Sequence, residues 1–246
     1  MDDMNLIIDV GNTLVKVALF KDDSIVWVDT FSKQKVHLQL KKISFENVID
    51  QAILSSVVSF TENEIAKIKQ LFPLKQLNHH TKVPFQNRYS TPKTLGVDRI
   101  ALMAAAHNKF PKQNVLVIDA GSCITFDFID KSGVYSGGAI SPGIEMRYKA
   151  LNRFTDKLPL LKPSNEVGLI GDSTNNSIHS GVINGVLLEI NGIIEQYNLE
   201  YEKLTSILTG GDTNFLAKRL KNSIFANPNF LLEGLNSILS YNCKND

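Results

Sequence analysis

A buried strand that runs into an acidic, glycine-containing turn occurs twice in this chain, and the repeat constrains the fold more than any other feature. The first copy is Asn5-Leu6-Ile7-Ile8-Asp9-Val10-Gly11-Asn12-Thr13, the second Asn114-Val115-Leu116-Val117-Ile118-Asp119-Ala120-Gly121-Ser122. An offset of 110 residues places Leu6 on Leu116, Ile8 on Ile118, Asp9 on Asp119 and Gly11 on Gly121. Each copy continues with a second apolar run (14–20 and 124–129), a polar turn (21–24 and 130–133) and a third run at 25–28 and 134–135. Apolar, β-branched runs broken by Gly, Asn, Asp and Ser read as three-strand meanders. The shared order reads as an internal duplication.

Between and after the meanders the chain alternates strand and helix. Residues 51–58 read as a buried strand, and Thr61-Glu62-Asn63-Glu64 as a capping box opening a helix with Ile65, Ile68 and Leu71 on one face, ended by Pro73. An Ala-rich helix is predicted from about 99 to 108. A long helix follows at 173–197, striped by Ile178, Val182, Val186 and Ile190, and then a strand at 204–209. No period is visible over 84–96. Meanders followed by β–α units specify α/β layers, here two domains, 1–112 and 113–246, with an interdomain cleft.

With 246 residues, 43% hydrophobic and 21% charged, the chain has ample material for a core. Its net charge of +1 and the lack of a long basic run argue against sequence-independent nucleic-acid binding. The opening Met1-Asp2-Asp3-Met4-Asn5 has no basic region, and no stretch of about 18 uncharged apolar residues occurs, so a cytoplasmic protein with no membrane span is expected. Two distant cysteines, Cys123 and Cys243, exclude a disulfide framework or a cysteine-rich zinc site.

The two turns suggest chemistry. Glycine lets backbone N–H groups approach an anion, and Thr13 or Ser122 adds a hydroxyl. The strand-end carboxylate cannot touch phosphate without repulsion, so it suits a cation or an ordered water. Either turn alone is explained as a hairpin; the pair favours two turns clamping a polyphosphate. Thr209-Gly210-Gly211 either takes a base or ribose against bare backbone or is a plain strand-to-helix turn. Asp98, directly after Gly96-Val97, is either a helix cap or the proton acceptor for an attacking hydroxyl, with Arg99 contacting substrate. Gly137-Gly138-Ala139-Ile140-Ser141-Pro142-Gly143 reads as a glycine-rich loop that matches neither dinucleotide nor Walker fingerprints. Gly181 and Gly185 share a helix face and suggest close packing on another helix, in the chain or across a dimer. Cys123 reads as a small buried residue.

The ordered set of these segments resembles the type III pantothenate kinases, also called the Bvg accessory factor family, of the actin–hexokinase–sugar kinase superfamily. The resemblance runs through Asp9-Val10-Gly11-Asn12-Thr13-Leu14-Val15-Lys16, Tyr89, Gly96-Val97-Asp98-Arg99, Asp119-Ala120-Gly121-Ser122, residues 137–143, Thr155-Asp156-Lys157-Leu158-Pro159, Gly171-Asp172-Ser173-Thr174 and Thr209-Gly210-Gly211. It implies two ribonuclease-H-like domains and ATP-dependent phosphorylation of pantothenate, the first step toward coenzyme A. It implies ATP contacts from Asp9 to Lys16, at Ser122 (where the family usually has Thr) and at Thr209, Gly210 and Gly211. Asp119 matches a monovalent-cation ligand (potassium or ammonium), with magnesium accompanying the nucleotide. Asp98 matches the proton acceptor, while Tyr89, Gly96, Val97, Asp98, Arg99 and Thr174 match the pantothenate site, Thr174 near a homodimer interface. Two other readings stay open on the residues alone: another sugar or small-polyol kinase of the superfamily, and a non-catalytic nucleotide-binding accessory protein.

Overall fold

The computed structural model describes residues 4–58 and 60–245; the opening Met1-Asp2-Asp3 lies outside them. The chain divides into two compact units. The first contains residues up to Pro111, the short piece Gly133–Ser136, and the chain from Asn229 onward; the second contains Lys112–Ser132 and Gly137–Pro228. The expected cut at 112/113 had put residues 229–246 with the second half. Their helix instead packs in the first unit.

The first unit is built from β1 (Met4–Val10), β2 (Val15–Lys21), β3 (Ser24–Phe31), α1 (Val36–Glu46), β4 (Gln51–Ser56), α2 (Glu62–Lys69), β5 (Leu74–Gln76), β6 (Gln86–Asn87) and α3 (Val97–Lys109). Its main sheet has the order β3-β2-β1-β4-β5, antiparallel among the first three strands and parallel from β1 to β5. Leu6, Ile7, Ile8 and Val10 are all fully buried, as expected of a strand covered on both faces. Leu6, Ile8 and Val10 join Leu40, Ile43 and Ile68 on the side of α1 and α2. The capping box forms as expected, Thr61 accepting from the Glu64 N–H while Glu64 accepts from the Thr61 N–H.

The second unit holds β7 (Asn114–Ala120), β8 (Cys123–Ile129), β9 (Val134–Pro142, of which residues 134–136 count with the first unit), α4 (Ile144–Arg153), α5 (Thr174–His179), α6 (Gly185–Glu200), β10 (Leu204–Thr209), α7 (Thr213–Ala217) and β11 (Phe225–Ala226). In a sheet of six strands edged by β6, which pairs with residues 134–135, the other five run β9-β8-β7-β10-β11, the first unit's order repeated element for element. The duplicated acidic strand is therefore a duplicated sheet. Residues 137–142, expected to be a loop, are strand. Gly138 is small because a Cβ there would lie 1.8 Å from the Phe126 carbonyl oxygen, so the glycines mark close strand approach.

One turn of π-helix (Ser180–Asn184) joins α5 to α6, so Thr174–Glu200 is one continuous helix of 27 residues. By length and composition it is apolar enough to cross a membrane. Here its Ile178, Val182, Val186, Ile190 and Ile194 stripe lies in the second unit's core with Leu116, Ile118 and Phe126. The expected close helix contact at Gly181 and Gly185 is absent among the described residues: a Cβ at either meets nothing within 4 Å. Cys123, expected to be buried, is half-buried.

Helix α8 (Phe230–Asn245) completes the first unit against α3. A Cβ on Gly234 would lie 1.9 Å from the Ala101 carbonyl oxygen, so glycine lets the two helix backbones meet. The Ala-rich face of α3 serves the same contact.

Candidate functional site

In the first unit the predicted residues gather where β1 ends. Val10 pairs with Val15, and the Gly11 N–H closes the hairpin on the Leu14 carbonyl at 3.0 Å. That amide is thus spent inside the turn, and the exposed tip consists of Asn12, Thr13 and Leu14. Val10 and Val15 are fully buried, so neither side chain is open to a ligand. Asp9 stands across from Lys16 on β2 and from Ser55 on β4.

Asp9 is unusual electrostatically. Burial first, then the negative charge of Asp98, push its carboxyl up to about 7; Lys16 and the Ser55 hydroxyl pull the other way. Ser55 is fully buried, and among the described residues its Oγ makes no hydrogen bond of ordinary geometry, so its pull on Asp9 is that of a nearby dipole. Ser55 was not expected in the site. The register of β4 against β1 reveals it, and no signal in the sequence fixes that register.

Asp98 lies in the first turn of α3, and the cap position is Gly96, which has no side chain to cap with. The Asp98 carboxylate accepts the Arg99 N–H at 2.8 Å, which satisfies one first-turn donor and anchors the carboxylate at the positive end of the helix. Gly96 has ordinary backbone angles; its purpose is space, since a Cβ would fall 2.3 Å from Asp98 Oδ1. Arg99 is 5% exposed, with its guanidinium 5.5 Å from the centre of the half-buried Tyr89 ring. Val97 is partly exposed beside them. Asp9, Lys16, Tyr89 and Gly96–Arg99 all belong to this unit.

In the second unit the equivalent strand end is Asp119, which stands across from Thr125 on β8 and Thr209 on β10. Ala120 pairs with Ile124, so this hairpin is one residue shorter than the first. Its backbone is pinned: the Ala120 carbonyl accepts the Asp212 N–H at 2.9 Å and the Ser122 carbonyl accepts the Gly143 N–H at 3.2 Å. Ser122 is exposed at the tip, whereas Thr209 is 1% exposed. Gly210 has φ +94°, and a Cβ there would lie 2.3 Å from Asp119 Oδ1 and 2.4 Å from the Ala120 carbonyl oxygen. Bare backbone is therefore required beside Asp119. Asp212, which sequence reasoning left unassigned, has its carboxyl pushed up by burial and then by Glu145.

Thr174 starts α5 and lines a mostly apolar cavity of about 750 Å³ with Arg147, Leu151, Leu158, Ile178 and Val182. Arg147 is held by the Pro142 carbonyl, Ser141 and Glu189.

Among the described residues no group of three or more His, Cys, Asp or Glu is placed to hold a metal ion. A magnesium ion fits such a surroundings when nucleotide phosphates and water supply most of its ligands. Beside Asp119, Thr125 Oγ1 lies opposite in the ladder, buried and without a hydrogen-bond partner among the described residues, an oxygen that a cation could meet.

Known proteins are similar to this chain. The family model for type III pantothenate kinase matches residues 5–196. A type III pantothenate kinase from Christiangramia forsetii is 50% identical over 97% of this chain and 99% of its own length. One from Flavobacterium johnsoniae is 46% identical over 99% and 100%. Among solved structures, a Baf family protein from Campylobacter jejuni superposes with a TM-score of 0.66 at 22% identity, covering 97% of this chain and 99% of that one. A glucokinase from an Antarctic psychrotroph reaches 0.55 at 13% identity over 98% and 100%, a likeness of fold alone. Near-full-length identity approaching one half, joined to a duplicated sheet with an aspartate at each central strand end, makes this chain a member of the type III pantothenate kinase family.

Proposed function

We propose that the protein transfers the γ-phosphoryl group of ATP to the primary hydroxyl of pantothenate, giving 4'-phosphopantothenate, the first step of coenzyme A synthesis. The observation that carries this reading is Asp98: a carboxylate given room by Gly96, fixed to the start of α3 and adjoining a buried arginine. As the pantothenate oxygen bonds to the γ-phosphorus, Asp98 accepts the hydroxyl proton and the bond to the bridging oxygen breaks, releasing ADP. Phosphoryl transfer asks chiefly for alignment and charge neutralisation. Tyr89, Gly96, Val97, Arg99 and Thr174 are assigned to the acceptor.

The segment from Asp9 to Lys16 is assigned to the phosphates, with Lys16 as the fixed cation, and Ser122, Thr209, Gly210 and Gly211 to the nucleotide. Magnesium bound with ATP supplies further neutralising charge. Asp119, with the Thr125 hydroxyl near it, is assigned to potassium or ammonium. A homodimer is part of this reading, supported by the open helix face at Gly181 and Gly185 and by the apolar cavity behind Thr174. So is a cytoplasmic location, where both substrates are found.

A coupled ADP-release assay tests the proposal. ADP should form with pantothenate and magnesium, and faster with potassium present. A sugar turned over faster than pantothenate would reject the substrate, and no ADP with any hydroxylated acceptor would reject the kinase.

A further inference from the structure

Tyr89 sits in an irregular, mostly exposed stretch, 88–94, where little secondary structure holds it. Its backbone is tied on the N-terminal side: the Arg88 N–H reaches the Tyr135 carbonyl at 2.8 Å, and the Tyr89 N–H reaches Asn87 Oδ1 at 2.9 Å. Beyond Tyr89 the chain passes through one exposed 3-10 turn (Pro92–Thr94) before Leu95 is buried again. Something else must fix the ring.

That element is Tyr135. It is fully enclosed, although it lies on β9, far in sequence from the stretch it touches. Its ring stacks on Tyr89 at 6.2 Å with the planes 11° apart, an offset geometry in the favoured range. Phe85 packs edge-on against the same ring at 6.2 Å and 88°. One aromatic ring therefore clamps both ends of the 85–89 stretch, while β6 pairs with β9 between them, Gln86 with Val134 and Asn87 with Tyr135. Tyr89 in turn lies against the Arg99 guanidinium.

We infer that Tyr135 is a positioning residue for pantothenate: its ring holds Tyr89 against Arg99, so the acceptor meets a preset Tyr–Arg pair and not a loose loop. The inference rests on the assignment of Tyr89 and Arg99 to the acceptor. A preset surface lowers the cost of ordering on binding, and its loss should be read in the Michaelis constant of the acceptor alone.

In Tyr135→Leu the pantothenate KM should rise about tenfold, with kcat and the ATP KM changing less than about twofold. Tyr135→Phe, which keeps the stacking face, should restore the low pantothenate KM. If Tyr135 acts through Tyr89, Tyr89→Leu/Tyr135→Leu should be no worse than Tyr89→Leu alone. Equal damage to both substrates, or additive effects in the double variant, would overturn the inference. Should Tyr135→Leu fail to fold, 4-fluorophenylalanine at position 135 keeps the ring. Its fluorine resonance should move on Tyr89→Leu with no pantothenate present, because the stack is preset; a resonance indifferent to that substitution overturns the inference too. A wild-type protein that phosphorylates no pantothenate would instead remove the acceptor assignment itself.

Discussion

The two acidic strand ends share topology and differ in what surrounds the carboxylate. Asp9 faces a lysine on one neighbouring strand and a serine on the other, and a second carboxylate, Asp98, raises its proton affinity. Asp119 faces threonines on both sides, and a positive-φ glycine brings bare backbone against it. Duplication thus supplied one scaffold twice, and the cross-strand positions set the chemistry. The first end brings its own cation and gathers titratable groups, which suits phosphate and proton transfer. The second offers hydroxyls and carbonyls but no fixed cation across the ladder, which suits a nucleotide accompanied by a bound ion.

The largest expected effect breaks the first end only. Asp98→Asn should lower kcat by about 10²–10⁴-fold, the usual worth of a general base, with an unchanged thermal midpoint. Asp119→Asn should instead change the response to potassium. If both behave alike in a potassium titration, the contrast fails.

The two glycines sharpen the comparison. Gly96→Ala meets only the mobile end of the Asp98 side chain, so it should leave stability within about 1 kcal/mol while activity falls about 10²-fold through displacement of the carboxylate. Gly210→Ala meets backbone at positive φ and should cost about 2–4 kcal/mol by denaturant unfolding.

Asp9 predicts a pH effect of definite sign. A folded-state pKa of about 7, above the unfolded value of 3.8, means that the folded protein holds the proton more tightly. Stability contributed by the protonated form is complete below about pH 4 and is lost as pH rises through 7. Asp9→Asn should therefore raise stability at pH 8 by about 2 kcal/mol, with little change at pH 4, even as activity falls. Urea melts of both proteins at the two pH values check this. The smallest effects come from the cross-strand neighbours. Lys16→Met should raise the ATP KM about tenfold, whereas Thr125→Val should raise the potassium needed for half activation by about threefold.

Much of this was legible in the sequence. The meanders, the capping box at Thr61 and Glu64 and the repeated Asp-x-Gly turns depend on local pattern, and local pattern is what a sequence displays. What the chain concealed is long-range. Residues 230–245 follow the second half in sequence but pack on α3, a choice made by Gly234 and the Ala face opposite it. The 137–142 glycines imitate a loop because close strand approach and loop formation call for the same residue. Ser55 and Thr125 become site candidates only once register sets them beside the aspartates, and Tyr135 only once the fold stacks it on Tyr89.

The most direct test of the account is the rate of ADP formation with ATP, magnesium, potassium and pantothenate, compared between the wild-type protein and a folded Asp98→Asn variant. The account predicts pantothenate-dependent turnover in the wild type and a loss of at least about 10²-fold in the variant. Equal turnover in the two proteins would contradict it.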